Sequence, residues 1–284
     1  MTMWQEEGWL HVPSFLTPDE IALVNDTIAQ LWRSKPGAIT VDDLETGARC
    51  RMSELRDDAR RHRIKINDLY LTSPAIRSLL LSPKLITILT PLLNETPALC
   101  NTLNLERSSA QDNHADSLYM TPLTPGGVVA CWFALEPVRP DAGPLRLFPR
   151  SHLIPPYTFS NGLHHAVESE MHDWTAYIQS QLTARSIEPV RVMAAPGDLV
   201  VWHADLLHGA DPITNPDATR KSLVAHYFPE SDARRRGYAV REEAAGVWLS
   251  RRAQPVSAST RILSAIERRV QKLRGAMFTR RTRR

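Results

Sequence analysis

The 284-residue sequence is long for one domain and short for two, and its formal charge of +3 is small for that length. Three scattered cysteines are too few for a disulfide framework and match no CxxC metal spacing, which favours a reducing, cytoplasmic setting. The acidic N-terminal segment is unlike a signal peptide, and no apolar run reaches the roughly 18 residues of a membrane span. We therefore expect a single domain that is soluble or peripheral to a membrane.

Helical patterns dominate the first third of the chain. Residues 17–32 begin with Thr17, Pro18 and Glu20, a combination typical of a helix N-terminus, and continue with apolar residues at helical spacing. Residues 73–93 are also apolar, but prolines divide them, which predicts two short helices. The polar stretch 35–63 has no clear period and is predicted to be a loop or a partly mobile cover.

From about residue 98 onward, short apolar runs alternate with turns rich in Pro, Gly and Asp. This pattern is typical of an antiparallel β-sandwich or barrel, so the predicted fold class is mostly β with flanking helices. Residues 150–195 interrupt the pattern and contain one helical stretch at 168–182. An insertion of that length forms either a substrate-binding lid or a buttress for the β core.

The strongest chemical signal is the segment His114-Ala115-Asp116. On an extended strand, residues two apart project from the same face, so both side chains can point into one cavity. Two histidines and one carboxylate bind iron(II) and leave adjacent coordination positions open for a 2-oxo acid and dioxygen. The third ligand is either His203, in a second HxD segment that ends at Asp205, or His208, which precedes a glycine.

The order of these motifs resembles that of the phytanoyl-CoA dioxygenase family. Family members carry HxD on an early core strand, a distal His-Gly after a strand led by Gly-Asp, and an Arg about eleven residues further. Here His208-Gly209 follows GDLVVWH, and Arg220 comes twelve residues after His208. The stretch GVVACWFALEPVRPDAGPLRLFPRSH also resembles the family, with Arg150 where glycine is usual. The resemblance covers roughly residues 5–230.

This resemblance implies a double-stranded β-helix, a jelly-roll and cupin-like core, within a domain that spans residues 1–259. It also implies that His114, Asp116 and His208 hold the iron, and that His203 and Asp205 support the site or the fold. Related halogenases replace the ligand carboxylate by a small residue, so an aspartate at this position favours oxygen transfer.

Further roles follow from the same resemblance. Arg220 is expected to bind the distal carboxylate of 2-oxoglutarate through two charge-assisted hydrogen bonds. Trp132 and Lys65 are expected to line the cosubstrate pocket. Lys221 directly follows the arginine and therefore faces the other side of the strand. The predicted substrate contacts flank the ligand segment and are Gln111, Tyr119 and Met120.

The implied function is hydroxylation of an aliphatic C–H bond with iron(II), 2-oxoglutarate and dioxygen, which releases succinate and carbon dioxide. The substrate is a small molecule or an acyl compound that fold kinship does not identify. One alternative is a zinc-dependent hydrolase or isomerase on a cupin-like barrel, which needs no dedicated Arg. Another is a non-catalytic jelly-roll binding module, and the retained ligands together with Arg220 argue against it.

Residues 260–284 lie beyond the resemblance and carry nine Lys/Arg and one Glu, which leaves the rest of the chain mildly acidic. We therefore expect no nucleic-acid partner. Apolar residues recur at helical spacing in this segment, which predicts a basic amphipathic helix. The helix either packs on the β core or contacts an anionic membrane or an acidic carrier of the substrate. Its apolar stripe consists of Ile262, Ile266, Val270, Leu273 and Met277.

Co-sedimentation with vesicles distinguishes these two interpretations of the C-terminal segment. Membrane attachment predicts that the full chain pellets with anionic but not neutral vesicles and is released by salt, because each basic residue contributes about 1 kcal/mol near an anionic surface. A version that ends at Ser259 should then stay in the supernatant. If the full chain also stays there at low salt, the membrane interpretation is wrong, and if truncation unfolds the protein, the helix belongs to the core.

Overall fold

The computed structural model describes residues 2–256, which form two β-sheets flanked by helices. The strands are β1 (Trp9–Val12), β2 (Thr40–Asp43), β3 (Ala48–Arg51), β4 (Ile64–Asn67), β5 (Pro97–Leu105), β6 (Val129–Ala134), β7 (Leu145–Leu147), β8 (Val190–Val192), β9 (Leu199–His203), β10 (His208–Ala210), β11 (Ser222–Pro229), β12 (Ala239–Glu243) and β13 (Gly246–Ser250). The α-helices are α1 (Thr2–Glu7), α2 (Pro18–Ser34), α3 (Leu69–Thr72), α4 (Pro74–Leu80), α5 (Pro83–Leu93), α6 (Met171–Ala184) and α7 (Glu230–Arg235).

The two sheets differ in size and are almost entirely antiparallel. The larger sheet has the order β1-β9-β6-β11-β5-β4-β2-β3, and the β12–β13 hairpin joins it through a parallel pairing of β13 with β5. The smaller sheet has the order β10-β7-β8. Neighbours in this order are often distant in the chain, so the strands wind back and forth between the sheets. The predicted fold class, mostly β with flanking helices, is confirmed.

The larger sheet is buried on both faces, and this explains the continuous apolar runs of its central strands. On β6, Cys131 and Phe133 pack into the core that the helices cover, whereas Trp132 belongs to the core between the two sheets. On β9, Val201 and Trp202 divide in the same way. Successive side chains of a strand point to opposite faces, so one strand supplies both cores.

The predicted N-terminal helix is confirmed as α2. Thr17 caps it: the Thr17 Oγ1 accepts a hydrogen bond from the Glu20 backbone N–H (3.2 Å), and the Glu20 carboxylate accepts one from the Thr17 N–H (2.8 Å). The two short helices predicted for residues 73–93 are α4 and α5. Pro91 does not divide α5 further, because it lies exposed in the last turn, where water can satisfy the carbonyl that its missing N–H leaves free.

The loop predicted for residues 35–63 is wrong in part, because the stretch contains the β2–β3 hairpin at the edge of the larger sheet. The hairpin is difficult to recognise in the sequence because many of its residues are polar. Asp42 is buried against Arg49, which donates to it twice, and Asp43 lies 2.9 Å from the ring nitrogen of His62. Ion pairs replace apolar contacts here, so the usual alternation of apolar and polar residues is lost.

The insertion at residues 150–195 supports the metal-ligand segment from behind. The helix predicted at 168–182 is α6, preceded by a 3-10 turn at Glu168–Glu170. Its buried Trp174 and Leu182 share one apolar cluster with Ala115 and Leu118. Of the two roles open for the insertion, these contacts favour the buttress.

The helix predicted within residues 260–284 lies outside the described residues. Among the residues that are described, no single helix is long and apolar enough to cross a membrane. Helices α4 and α5 together meet the criteria of length and composition, and they are bent by 53° at their junction.

Candidate metal centre

A short backbone bridge brings His114 and His208 together. The N–H of His114 donates to the carbonyl of His208 (2.8 Å), and the N–H of His208 donates to the carbonyl of His114 (2.9 Å). Ala115 then continues in an extended conformation, and Asp116 begins a 3-10 turn. The strand expected at HxD is therefore a single bridge, but the extended Ala115 is enough to keep its two neighbours on one side.

Gly209 allows the two ligand segments to approach this closely. A Cβ atom at this position would lie 2.7 Å from Asn113 Oδ1 and 3.1 Å from the Gln111 carbonyl oxygen. A side chain here would therefore require the Asn113 amide to move and the two segments to separate slightly. The His-Gly pair in the sequence thus has a physical cause in the bridge between the ligands.

Both histidines present the same nitrogen to the cavity. His114 Nδ1 lies 2.8 Å from the Asp112 carbonyl oxygen, and His208 Nδ1 lies 3.0 Å from that of Leu206. A carbonyl only accepts hydrogen bonds, so each Nδ1 carries the proton and each Nε2 keeps its lone pair. Second partners of this kind orient metal-binding histidines in proteins.

The ligand atoms converge on Asp116. Its Oδ1 lies 3.9 Å from His114 Nε2 and 3.6 Å from His208 Nε2. One ligand atom from each residue lies within 4.8 Å of the others, and the three side chains are at most 12% exposed. These donors suit a metal such as iron(II), and three protein ligands leave coordination positions for other molecules. The group can therefore hold a metal ion.

Electrostatics keep the group ready for a metal. Burial, reinforced by the neighbouring His208 ring, lowers the pKa of His114 to about 4, so this imidazole is neutral at neutral pH. Burial would raise the pKa of Asp116, but the positive charge that His208 and His226 carry when protonated, together with the hydrogen bond from His226, holds this pKa well below its usual range. A neutral ring and an ionised carboxylate are the forms that bind a cation.

The second oxygen of Asp116 has its own partners. The indole N–H of Trp202 donates to Oδ2 at 2.9 Å, and His226 Nε2 lies 3.5 Å from the same atom. Trp202 also packs its ring on His208, with ring centroids 4.8 Å apart. These contacts fix the carboxylate so that Oδ1 faces the histidines.

The ligands line a cavity between the two sheets that also contains the predicted cosubstrate residues. Trp132 and Lys65 line it together with Arg220, and so does Gln111, which was predicted to be a substrate contact. Arg220 is 4% exposed, and its Nη1 donates to the Gly143 carbonyl (2.7 Å). Within residues 2–256 no carboxylate pairs with its guanidinium, and its Nε lacks a partner. Burial lowers the pKa of Arg220 to about 10, so it remains a buried cation at neutral pH.

The remaining sequence candidates lie in different places. Lys65 lines the cavity but pairs with Asp42 at 3.3 Å. Lys221 pairs with Glu136 at 3.7 Å and does not line this cavity. His203 lies apart from the ligand group, beside Trp4 and His152. Tyr119 and Met120 line a neighbouring cavity.

The comparison with known families agrees with this site. A family model described as phytanoyl-CoA dioxygenase matches residues 4–222. The chain belongs to the phytanoyl-CoA dioxygenase family. This confirms the family predicted from the sequence, and its members are iron- and 2-oxoglutarate-dependent oxygenases. A search of curated proteins by sequence found no match.

Solved structures of similar fold support a jelly-roll core for this family member. The carbocyclase SnoK from nogalamycin biosynthesis is 18% identical, with a TM-score of 0.61 over 80% of this chain and 82% of that one. EctD from S. alaskensis with bound Fe is 15% identical, with a TM-score of 0.59 over 86% and 78%. The epimerase SnoN, in complex with Fe3+, alpha ketoglutarate and nogalamycin RO, is 20% identical, with a TM-score of 0.58 over 80% and 81%.

Sequence reasoning missed the two residues on the outer oxygen of Asp116. Trp202 and His226 lie within apolar strands, where such residues are usually core. His226 lines the cavity two residues after Val224 on β11, and Trp202 of β9 lies on the same face as Val200, which packs between the sheets. Strand alternation, applied after the ligands were chosen, is the signal that could have found them.

Metal titration tests which histidine completes the group. We expect the anaerobic wild-type protein to bind one iron(II) per chain and His208→Ala to lose this binding, because a ligand atom is removed. His203→Ala should retain it, since His203 lies apart from the group. The reverse pattern in metal content after gel filtration would reject the assignment.

Trp202→Phe tests the support of the carboxylate. The substitution keeps a buried aromatic ring but removes the N–H that orients Asp116, so we expect iron(II) affinity to fall about 10–100-fold. Trp4→Phe is the matched control, because Trp4 is also a buried indole and contacts His203 instead. Equal iron(II) affinities for the two variants in anaerobic calorimetry would contradict the role of Trp202.

Proposed function

We propose that this protein is an iron(II)- and 2-oxoglutarate-dependent dioxygenase that hydroxylates an aliphatic C–H bond of a small-molecule or acyl substrate. The single observation that carries the proposal is the buried guanidinium of Arg220, which pairs with no carboxylate within residues 2–256 and lies in the cavity that His114, Asp116 and His208 also line. A metal-ligand group and a cation in one cavity match the two ends of a 2-oxo diacid.

The ligand group supports iron as the metal. Two imidazole nitrogens and one carboxylate oxygen form the facial set that non-haem iron oxygenases use, with open positions on the other side. Among similar structures, EctD has been solved with Fe, and SnoN with Fe3+ and alpha ketoglutarate. We infer that His114, Asp116 and His208 hold iron(II) in this chain.

Arg220 supports a diacid as cosubstrate. A buried cation costs free energy unless it is paired, and this one lacks a carboxylate partner in the described part of the chain. A guanidinium binds a carboxylate through two parallel hydrogen bonds, and Arg220 has Nε and one further nitrogen free of the bond to Gly143. The distal carboxylate of 2-oxoglutarate would complete this pairing.

The walls around Arg220 exclude water from the cosubstrate. Leu103, Leu105 and Val224 line the cavity on the larger sheet, and Leu145 lines it on the smaller one. The Trp132 ring lies 5.8 Å from the Arg220 guanidinium, and its indole N–H has no partner among the described residues. A ligand carboxylate can accept that hydrogen bond as well, in surroundings where electrostatic interactions are strong.

Bound iron supplies the redox chemistry that activates dioxygen. In the overall reaction, 2-oxoglutarate loses carbon dioxide, one oxygen atom enters succinate, and the other enters the hydroxyl group of the product. The residues of the chain hold the ligands in place, bind the cosubstrate carboxylate and keep the site dry. Hydroxylation is the outcome that demands least of the protein, because it requires no acid, base or second acceptor.

A zinc-dependent hydrolase explains the site less well. Zinc accepts the same three ligands, but hydrolysis gives no role to a buried guanidinium at the far end of the cavity. In a hydrolase the buried charge of Arg220 would destabilise the fold without serving a function. In the proposed dioxygenase it binds the cosubstrate.

Removal of the guanidinium should selectively weaken the binding of the cosubstrate. We expect Arg220→Ala to lower the apparent affinity for 2-oxoglutarate by about one to three decades, since the lost bonds to a buried carboxylate correspond to roughly 2–4 kcal/mol. The weak visible charge-transfer band of the iron-bound keto acid, titrated anaerobically, measures this affinity. Iron(II) binding without 2-oxoglutarate should stay unchanged.

Lys221→Ala is the matched control, because Lys221 is the adjacent cation and pairs with Glu136 outside the cavity. Its 2-oxoglutarate titration should follow that of the wild type. If Arg220→Ala binds 2-oxoglutarate as tightly as the wild type, Arg220 is not the clamp. If the wild type gives no band and releases no succinate from 2-oxoglutarate, the proposed function fails as a whole.

A further inference from the structure

We propose that a second cavity, beside the metal centre, is the substrate pocket and that it selects an amphiphilic substrate with one acidic group, which Arg236 binds at the rim. The inference rests on the proposed function and adds the class of substrate. The cavity has a volume of about 360 Å³ and is formed by β5, the 119–121 segment, the end of β11 and the C-terminal strands.

This cavity begins next to the metal ligands. Tyr119 lines it, and the Tyr119 ring centroid lies 6.0 Å from that of His114. Asn101 also lines it and is the cross-strand partner of His226, whose Nε2 lies 3.5 Å from Asp116 Oδ2. The cavity therefore lies one side chain away from the ligand group, with Tyr119 on one side and His226 on the other.

A third cavity, of about 400 Å³, is larger but lies behind the ligand segment. It is lined by Ala115 and Ser117, whereas His114 and Asp116 line the cosubstrate cavity. Ala115 is extended, so its side chain faces the side opposite to those of His114 and Asp116, and the third cavity lies on that side. A substrate in this third cavity would have the backbone of the ligand segment between itself and the metal, so this cavity is not the substrate pocket.

The lining of the second cavity combines apolar, polar and cationic side chains. Its apolar side chains are Met120, Phe228 and Leu249, with Tyr119 and Tyr238 as amphipathic walls. Its charged lining residues are Arg236 and Arg251, and within residues 2–256 no Asp or Glu lines it. Such a surface disfavours a cationic ligand and matches an apolar chain with an acidic end.

The two arginines differ in what already binds them. Arg251 Nη2 donates to Asp68 Oδ1 (2.8 Å) and to the Cys100 carbonyl (3.1 Å), so its charge is balanced by a buried carboxylate. Arg236 donates to the Thr121 carbonyl, and its guanidinium carbon lies 5.4 Å from the centroid of the Phe228 ring. In the described part of the chain Arg236 pairs with no carboxylate.

The two arginines that precede Arg236 in the chain both have a carboxylate partner, so the lack of one distinguishes Arg236 from them. On α7, Arg234 pairs with Glu230 and Arg235 pairs with Asp232. Arg236 comes next, turns towards the cavity and keeps its charge free. A guanidinium binds a carboxylate or phosphate more strongly than a neutral group, so this position selects an acidic ligand.

The strand β11 sets the orientation of the ligand. His226 lines the metal cavity and Phe228 lines the second cavity, and two residues of a strand span about 6.8 Å. Arg236 lies over Phe228, so an acidic group bound there sits beyond that distance from His226, and the apolar chain points inward. Asn101 Oδ1 is buried without a partner among the described residues and offers a hydrogen bond to a polar group on that chain.

Calorimetry with octanoate and octanamide as probes tests the acidic selectivity. The holoprotein is loaded anaerobically with iron(II) and saturating 2-oxoglutarate, so that the metal and Arg220 are not available to the probe. We expect octanoate to bind at least about tenfold more tightly than octanamide and to lose that preference in Arg236→Gln. Added salt should reduce the preference, because Arg236 is exposed.

Arg234→Gln is the matched control on the same helix and should bind octanoate like the wild type. Arg236→Lys keeps the charge without the forked geometry and should show an intermediate preference, which also covers the case in which Arg236→Gln fails to fold. Equal binding of the two probes to the wild type, no binding of either, or equal effects of Arg234→Gln and Arg236→Gln would overturn the proposal. The keto-acid band, recorded on the same samples, shows separately whether the proposed function holds.

Discussion

The paired backbone of His114 and His208 is the interaction on which the metal centre depends. Two hydrogen bonds attach the HxD segment to the first residue of β10, and Gly209 lets the segments approach. Each bond contributes only about 0.5–1.5 kcal/mol net, so their importance lies in position more than in energy. Because Ala115 is extended, the same pairing also fixes where Asp116 points, and one local contact orients all three ligands.

Burial of the Asp116 carboxylate costs free energy in this arrangement. Partners on both of its oxygens offset that cost. Oδ1 faces the two histidine rings, and Oδ2 accepts from Trp202 with His226 close by. A buried charge without partners would be strongly destabilising. The donors on Oδ2 therefore stabilise the ionised carboxylate and leave Oδ1 with a lone pair directed at the metal position.

The sequence predicted the parts of this protein that follow from short-range chemistry. The caps of α2, the prolines before α4 and α5, and the apolar runs of the β core each have a local cause. The hairpin of β2 and β3 was missed because Asp42 and Asp43 are buried through partners that only the fold supplies. Local pattern rules cannot anticipate burial of that kind.

The candidate site likewise contains residues that local motifs reveal and residues that only the fold brings together. HxD, His-Gly and the distal arginine are visible as motifs, and the choice of His208 over His203 came from the family resemblance. Trp202 and His226 have no motif, since their roles depend on strand register across the larger sheet. The Arg236 position was equally hidden, because it depends on how α7 meets the end of β11. The roles of these residues depend on long-range pairing and packing, which a single sequence does not reveal.

The strand β11 contributes residues to both the metal-ligand cavity and the second cavity. Along β11 and the residue pair before it, the inward positions run from Arg220 through Val224 and His226 to Phe228. They pass from the proposed site of the cosubstrate carboxylate, past His226 beside Asp116, to the second cavity. The outward positions, such as Leu223 and Tyr227, pack into the core beneath the helices. A slip of one residue would therefore exchange both sets at once, so the packing that stabilises the fold also fixes the order of Arg220, the metal-ligand group and the second cavity.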